Sequence, residues 1–268
     1  MAEESNKENP NQAVWHQVFA LGHPKLQSYQ RFNKHLPSPP RCKLCSAPFR
    51  GVGSLWMAMT GRRPSNRNPR FCSRCDQFIR AFPGGAEVEM SMLFVDVRGS
   101  TSLAEQMSPT EYSRSINEFY AASTQALIDT DGFVIDVVGD EVVGLYPPGF
   151  SGPDHARKAI EGAKALLRAS EQANTGGRGL PIGVAVHTGV AFIGTVSGAE
   201  EGISDVRALG DNVNVTARLA SQAGPGEALI SDAAFAAAGL SGDFERRTLE
   251  LKGKSERVSV HVLRGAQP

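Results

Sequence analysis

Two carboxylates are the first chemistry this chain offers. Asp96 ends the apolar run Met90–Val95 and leads into Val97-Arg98-Gly99-Ser100-Thr101, and Asp140 lies inside Val137-Val138-Gly139-Asp140-Glu141-Val142-Val143. Each stands where a strand is expected to run out into a glycine-marked turn. Hard oxygen ligands beside a Gly-Ser-Thr loop suit Mg²⁺ or Mn²⁺ holding a nucleoside triphosphate. Either Asp alone is ordinary turn chemistry. A third segment, Ala208–Leu219, adds weight: Gly210-Asp211 opens a helical stretch in which Asn214 and Arg218 are four apart and share a face. An amide and a guanidinium on one face can grip a ribose oxygen and a phosphate oxygen.

A second constellation is made of sulfur. All four cysteines fall in two C-x-x-C pairs, Cys42/Cys45 and Cys72/Cys75, separated by 26 residues. This is the spacing of a tetrahedral thiolate site, for which zinc is the first expectation. Iron or an iron–sulfur cluster uses the same ligands, and redox-active or free thiols fit the same pattern. The stretch from 41 to 80 holds nine Lys or Arg and one acid, Asp76, so it carries +8 in a chain of zero net charge. Its arginines are expected to pair with acids elsewhere or to be solvated rather than to bind nucleic acid, for which Trp56 and Phe71 are the stacking candidates. Gly51-Val52-Gly53 and Gly61–Arg70 read as loops, and metal binding is expected to supply much of this module's folding energy.

Together the three oxygen- and nitrogen-bearing segments resemble the class III nucleotidyl cyclases, the adenylate/guanylate cyclase catalytic domain. Phe94–Thr101 looks like the first metal motif, Val138-Gly139-Asp140-Glu141 like the second metal hairpin, and Leu209–Arg218 like the helix carrying the transition-state Asn and Arg. His187–Gly194 and Leu251–Lys254 fall where the family has its glycine-rich strand pair and its closing "LKG" strand. The resemblance implies a ferredoxin-like α+β core over 87–264. It further implies two Mg²⁺ or Mn²⁺ ions per active site at Asp96, Val97 and Asp140, with Asn214 and Arg218 catalytic. Backbone N–H groups at Gly99, Ser100 and Thr101 are expected to cradle phosphate, and either Lys252 or Lys254 to reach it. The implied product is a 3′,5′-cyclic nucleotide with pyrophosphate. In this family the carboxylates and the Asn/Arg pair come from different subunits, so a homodimer with two interfacial active sites is expected.

The base pocket departs from the family pattern. Adenylate cyclases usually have Lys where this chain has Asp136, and Asp or Thr where it has Arg207. Guanylate cyclases have Glu at the first position. Asp136 could accept guanine's N1–H and Arg207 could donate to its O6, or the two could simply pair with each other. ATP and GTP both stay open.

The elements that must position these groups follow from the pattern. Val14, Trp15, Val18 and Phe19 suggest a short helix in a polar segment, 1–40, closed by Pro37–Pro40. A zinc-ribbon-like module spans 41–82, a Pro-Gly-Gly linker 83–86 and the cyclase-like domain 87–264. Ser108-Pro109-Thr110-Glu111 is a capping box; Tyr112, Ile116, Phe119, Tyr120 and Leu127 follow at helical spacing. Gly132–Tyr146 reads as a hairpin, Pro153–Gln172 as a helix, Ile182–Val196 as two strands, Asp211–Gln222 as a helix, and two late strands end near Val262. His187 reads as a packing or turn histidine. With 268 residues and 41% hydrophobic content the chain can bury a real core. No stretch approaches the roughly 20 apolar residues of a membrane span, and Met1–Pro10 lacks a signal-peptide core, so a cytoplasmic protein is expected. Two readings compete with the cyclase: a catalytically weak cyclase-like domain acting as a nucleotide-binding regulatory or dimerisation module, and a cysteine module that binds nucleic acid or senses redox state or metal.

Overall fold

The structure is a computed structural model that describes residues 9–36, 40–175, 179–197, 204–254 and 256–265. Residues 1–8 of the polar start and Pro37, Ser38 and Pro39 of the expected boundary lie outside these. The chain divides into two compact units. The first comprises Met1–Val88, Pro147–Gly152 and Ala191–Leu209; the second comprises Glu89–Tyr146, Pro153–Val190 and Gly210–Pro268. Among the described residues no helix is long and apolar enough to cross a membrane.

Among its described residues the first unit begins with four helices. These are α1 (Gln12–His16, continued as a π-helical turn over Gln17–Leu21), α2 (Pro24–Lys34), α3 (Gly51–Met59) and α4 (Ser73–Ala81). Trp15 is fully buried, stacks on Phe19 at 5.4 Å and donates its indole N–H to the Phe82 carbonyl at 2.8 Å. Phe150, from the short α7 (Pro148–Ser151), closes on Phe19 at 4.9 Å. The stretch Gly51–Gly53, expected as loop, instead starts α3. A Cβ on Gly53 would meet Pro48 at 3.0 Å, so this glycine permits a close approach.

The second unit carries most of the sheet. Its strands and helices are β1 (Gly85–Val97), α5 (Ser100–Gln106), α6 (Pro109–Asp129), β2 (Phe133–Val138), β3 (Glu141–Tyr146), α8 (His155–Thr175) and β4 (Ile182–Ser197). After β5 (Ser204–Leu209) come α9 (Asp211–Gln222), β6 (Glu227–Ser231), α10 (Asp232–Ala237), β7 (Glu245–Leu249) and β8 (Val258–Arg264). The outer residues of β1 and β4 run into the first unit, and β1 already begins at Gly85, inside the expected linker. The sheet order is β2-β3-β1-β4-β6-β8-β7, with β5 pairing β4. The run β1-α6-β2-β3-α8-β4 in the order 2-3-1-4 is a split βαββαβ, the ferredoxin-like α+β arrangement.

Local sequence accounts for the helices. The Ser108 hydroxyl accepts the Glu111 N–H at 3.3 Å while the Glu111 carboxylate accepts the Ser108 N–H at 3.0 Å, so α6 begins with the expected capping box. Its Ile116, Phe119 and Leu127 join Leu93, Val95, Val142, Ile160, Leu166, Val184 and Ile230 in one apolar core. A Cβ on Gly144 would come within 2.6 Å of the Leu127 side chain, so that glycine lets α6 pack against β3.

The late part of the sheet departs from expectation. Ile182–Val196 is one strand, not two, and it pairs with an unanticipated β5 through Phe192–Leu209 to Val196–Asp205. Gly194 serves close approach within it: a Cβ there would stand 2.5 Å from the Gly84 carbonyl. β6 and α10, which follow the Asn/Arg helix, were not anticipated either.

Candidate active site and thiolate cluster

The acid pair sits at the end of β1 and in the β2–β3 turn. Asp96 is in register with Glu141, and the Val97 N–H donates to the Asp140 carbonyl at 3.0 Å, so the turn carrying Asp140 is bonded directly to the residue after Asp96. Gly99 and Gly139 flank the acids in left-handed conformation, φ +66° and +62°, with open space where a Cβ would point. Ser100 starts α5, so Gly99, Ser100 and Thr101 lie at a helix start as expected.

Beside the acids stands a residue that the sequence pattern did not single out. Arg98 hydrogen-bonds the Asp96 carboxylate, donates to the Ser221 carbonyl at the end of α9 at 2.8 Å, and bonds through its backbone N–H to the Pro181 carbonyl at 2.7 Å. Burial pulls its pKa down, and the nearby negative charge of Asp140 opposes that shift. Burial also pushes Glu141 up, with Asp140 adding to the effect. The Asp96 carboxylate thus already pairs with a cation, the Arg98 guanidinium.

Helix α9 buries Val215, Thr216, Leu219 and Ala220 and leaves Asn214 exposed and Arg218 half-exposed on its open face. Neither of these side chains finds a hydrogen-bond partner among the described residues. The Arg218 guanidinium runs beside the turn at Gly253, where a Cβ would lie 3.6 Å away. This brings Arg218 next to the Leu251–Lys254 segment. Lys254 is ion-paired with Asp211 at the start of α9, whereas Lys252 is exposed. The base of the helix is anchored by Asn212, Ser231 and His187. Asn212 contacts His187 Nε2 at 2.9 Å and donates to the Val190 carbonyl at 2.8 Å, and His187 Nδ1 lies 2.8 Å from the Ser231 hydroxyl. His187 is therefore a packing histidine, as expected, and burial pulls its pKa down.

The two base-selecting candidates belong to different units. Asp136 lies at a bulge in β2, half-buried, its carboxylate accepting the Val137 N–H at 3.1 Å. Arg207 is on β5, its Nε 3.5 Å from Asp205.

The four cysteines are buried, free of disulfides and gathered, their sulfurs all within 4.8 Å of one another. Cys42 and Cys45 bracket a tight knuckle, with the Ser46 N–H on the Cys42 carbonyl at 2.9 Å and the Cys42 N–H on the Ala47 carbonyl at 2.8 Å. Cys72 caps α4 and Cys75 lies in its first turn. A tetrahedral zinc site with Zn–S near 2.3 Å has sulfurs about 3.8 Å apart; Cys45 and Cys72 are 3.7 Å apart. Hydrogen bonds from the neighbouring thiols hold Cys72 well below the usual thiol range, while burial pushes Cys42 up. Arg62, stacked over Tyr29 at 3.8 Å, points Nη1 at the Cys45 sulfur at 3.6 Å, a counter-charge suited to thiolates. The donor set fits a soft divalent metal.

Comparison with known proteins agrees with this geometry. The sequence model described as "Adenylate and Guanylate cyclase catalytic domain" matches residues 85–265. The adenylate cyclase of Anabaena cylindrica is 30% identical over 186 residues, covering 65% of this chain and 36% of the relative. That of Mycobacterium tuberculosis H37Rv is 30% identical over 196 residues, covering 67% and 43%. The chain therefore spans less than half the length of either relative. Among solved structures, the guanylyl cyclase Cya2 superposes with a TM-score of 0.61 at 25% identity, covering 67% of this chain and 93% of the other. The adenylyl cyclase CyaB from P. aeruginosa superposes at 0.59 with 22% identity, covering 67% and 95%, a likeness of fold.

Proposed function

The chain belongs to the adenylate and guanylate cyclase catalytic domain family, and from that premise we propose that it converts a purine nucleoside triphosphate, ATP or GTP, into the 3′,5′-cyclic nucleotide and pyrophosphate. The observation that carries this is the pairing at the end of β1: Asp96 and the Asp140 turn are bonded together beside the Arg98 guanidinium.

The reaction is an intramolecular phosphoryl transfer in which the ribose 3′-oxygen attacks the α-phosphorus. Asp96, Asp140 and the intervening Val97 are the residues to hold two Mg²⁺ or Mn²⁺ ions. When bound, such ions lower the pKa of the 3′-hydroxyl and neutralise the triphosphate. Gly99, Ser100 and Thr101 offer backbone N–H groups to phosphate oxygens, and Lys252, the exposed member of the lysine pair, is read as the one that reaches phosphate. Asn214 orients the ribose and Arg218 stabilises charge developing on the α-phosphoryl group. Both stand on the open face of α9 without hydrogen-bond partners among the described residues, which supports their being offered to a substrate held by a second copy, in a homodimer with shared sites. Asp136 and Arg207 are read as base-selecting, the first as an acceptor and the second as a donor, chemistry that suits guanine.

The cysteine cluster is read as a structural zinc site in an N-terminal module over 41–82. The shared-site model is tested by mixing. Asp96→Ala and Asn214→Ala homodimers are each expected to be nearly inactive, and mixed dimers to regain activity because one of their two sites is intact. No recovery in well-mixed dimers would contradict it.

A further inference from the structure

The helices of the first unit leave a cleft among them. It lies between α1, the start of α2 and α4 and has a volume of about 610 Å³. Small-molecule sites typically hold about 300–1,000 Å³. Its walls are apolar: Val14 from α1, Leu26 from α2, Leu44 from the cysteine knuckle, Phe78 from α4 and Phe82 from the end of that helix. Val14, Leu26, Phe78 and Phe82 are only half-buried. Phe78 lies 5.9 Å from Trp15 and 5.3 Å from Phe82, so the aromatic cluster around Trp15 backs one side of the cleft. The π-helical turn Gln17–Leu21 brings Val18 to the wall. Such turns are frequent at functional sites.

The charge in this apolar cleft is all of one sign. His23, Lys25, Arg62 and Arg74 line it, and no Asp or Glu does. Lys25 and Arg74 are exposed and make no ion pair among the described residues. Arg62 is the buried cation, 6% exposed. It gives Nη1 to the Cys45 sulfur, and its Nε has no hydrogen-bond partner among the described residues. Asp76, beside Cys75, is turned to the Ser65 hydroxyl at 2.9 Å and to Arg80. The lining therefore complements a molecule with two parts. An apolar body would be desolvated against Leu26 and Phe78, and an anionic head would be met by lysine and arginine. A neutral apolar molecule leaves the cations unanswered, a bare inorganic anion leaves the apolar walls wet, and a cationic amphiphile is repelled.

We propose that this cleft is a binding site for a small amphipathic acid, an apolar chain or ring system carrying one carboxylate. The site is independent of the nucleotide chemistry. Leu44 and Cys75 both line it, so an occupant touches the thiolate module itself and stabilises it by mass action.

The experiment uses the full chain, purified with Zn²⁺. It is titrated with the fluorescent probe anilinonaphthalene sulfonate, which is then displaced by dodecanoate, naphthoate, dodecanol or dodecylammonium, each below its aggregation concentration, with calorimetry for stoichiometry. One of the acids is expected to bind one-to-one and about tenfold more tightly than dodecanol, with dodecylammonium weaker still. The tighter of dodecanoate and naphthoate tells a chain from a ring system. The double variant Lys25→Glu, Arg74→Glu, at exposed positions, is expected to weaken the acid about tenfold while dodecanol binding and melting temperature stay unchanged. Leu26→Glu is expected to abolish binding of both. Hydrogen exchange in α1, α2 and α4 should slow with the acid bound. The proposal is overturned if neither acid binds saturably, if dodecanol binds as tightly as the acids, or if the charge-reversed variant holds the acid as well as the wild-type chain does.

Discussion

The two units of this molecule are held together by different physics. The second is stabilised by continuous apolar burial: Leu93, Leu127, Leu166, Val184 and Ile230 are almost wholly removed from water in one core. In the first, an aromatic cluster around Trp15 and Phe19 stands beside four converging thiols and a set of buried polar grips, Arg62 on Cys45 and Lys43 on Asp205. An apolar core tolerates loss of one group by degrees, whereas a coordination centre loses its organising force at once. The unit that carries the acid pair is therefore expected to be robust, and the unit that carries β5 to depend on what the thiols hold.

That contrast can be broken most forcefully at the proposed zinc site. Stripping the thiolate site with a chelator, or substituting Cys72→Ser, is expected to remove stabilisation on the order of 10 kcal/mol. Hydrogen exchange should then show loss of protection in α4 and the 41–82 stretch, with β1, β3 and α6 still protected. Equal loss in both would show that the two units fold as one. Next in size are substitutions at the proposed chemistry. Arg218→Ala is expected to lower kcat by about 10²–10³-fold with melting temperature nearly unchanged, as steady-state kinetics and calorimetry would read.

How much of this contrast could be seen in the sequence follows from the same physics. The capping box at Ser108, the hairpin around Asp140 and the helix Asp211–Gln222 were legible because each is specified by neighbours in the chain. β5 was not, because Ser204–Leu209 is short and is defined by pairing with the far end of β4. The role of Gly194 was hidden for a related reason: it is close approach to Gly84, a partner far away in the chain. Of the candidate site, Asp96, Asp140, Asn214 and Arg218 were visible as types at a spacing. Arg98 lay in plain view within the first motif, but its bonds to Asp96 and to the end of α9 need the tertiary structure. Trp15 was legible only as part of a short helix, since its partners Phe78 and Phe82 are remote in sequence.

Smaller effects sharpen the comparison. Leu127→Ala is expected to destabilise the second unit by about 2–5 kcal/mol, read as a shift in denaturant midpoint, without altering the thiolate site. Trp15→Ala should do comparable damage in the first unit while leaving the protection of α6 intact. The smallest effect is one of pH. Burial holds His187 below its ordinary value, so in the fold it stays neutral while the unfolded chain still takes up a proton near pH 6.5. Stability is then full above about 6.5 and declines as pH falls below it, until the folded pKa is passed. His187→Gln should flatten this decline in urea titrations between about pH 7 and 5; an unchanged slope would assign it to other groups.

The proposed cyclase activity is tested most directly by product analysis. The purified chain is incubated with Mn²⁺ and, separately, ATP, GTP, CTP and UTP, with Asp140→Ala as control. A 3′,5′-cyclic purine nucleotide and pyrophosphate are expected from the wild-type chain and neither from the control. Nucleotide bound but left intact under all four conditions would contradict the activity and favour a regulatory nucleotide-binding role for the same fold.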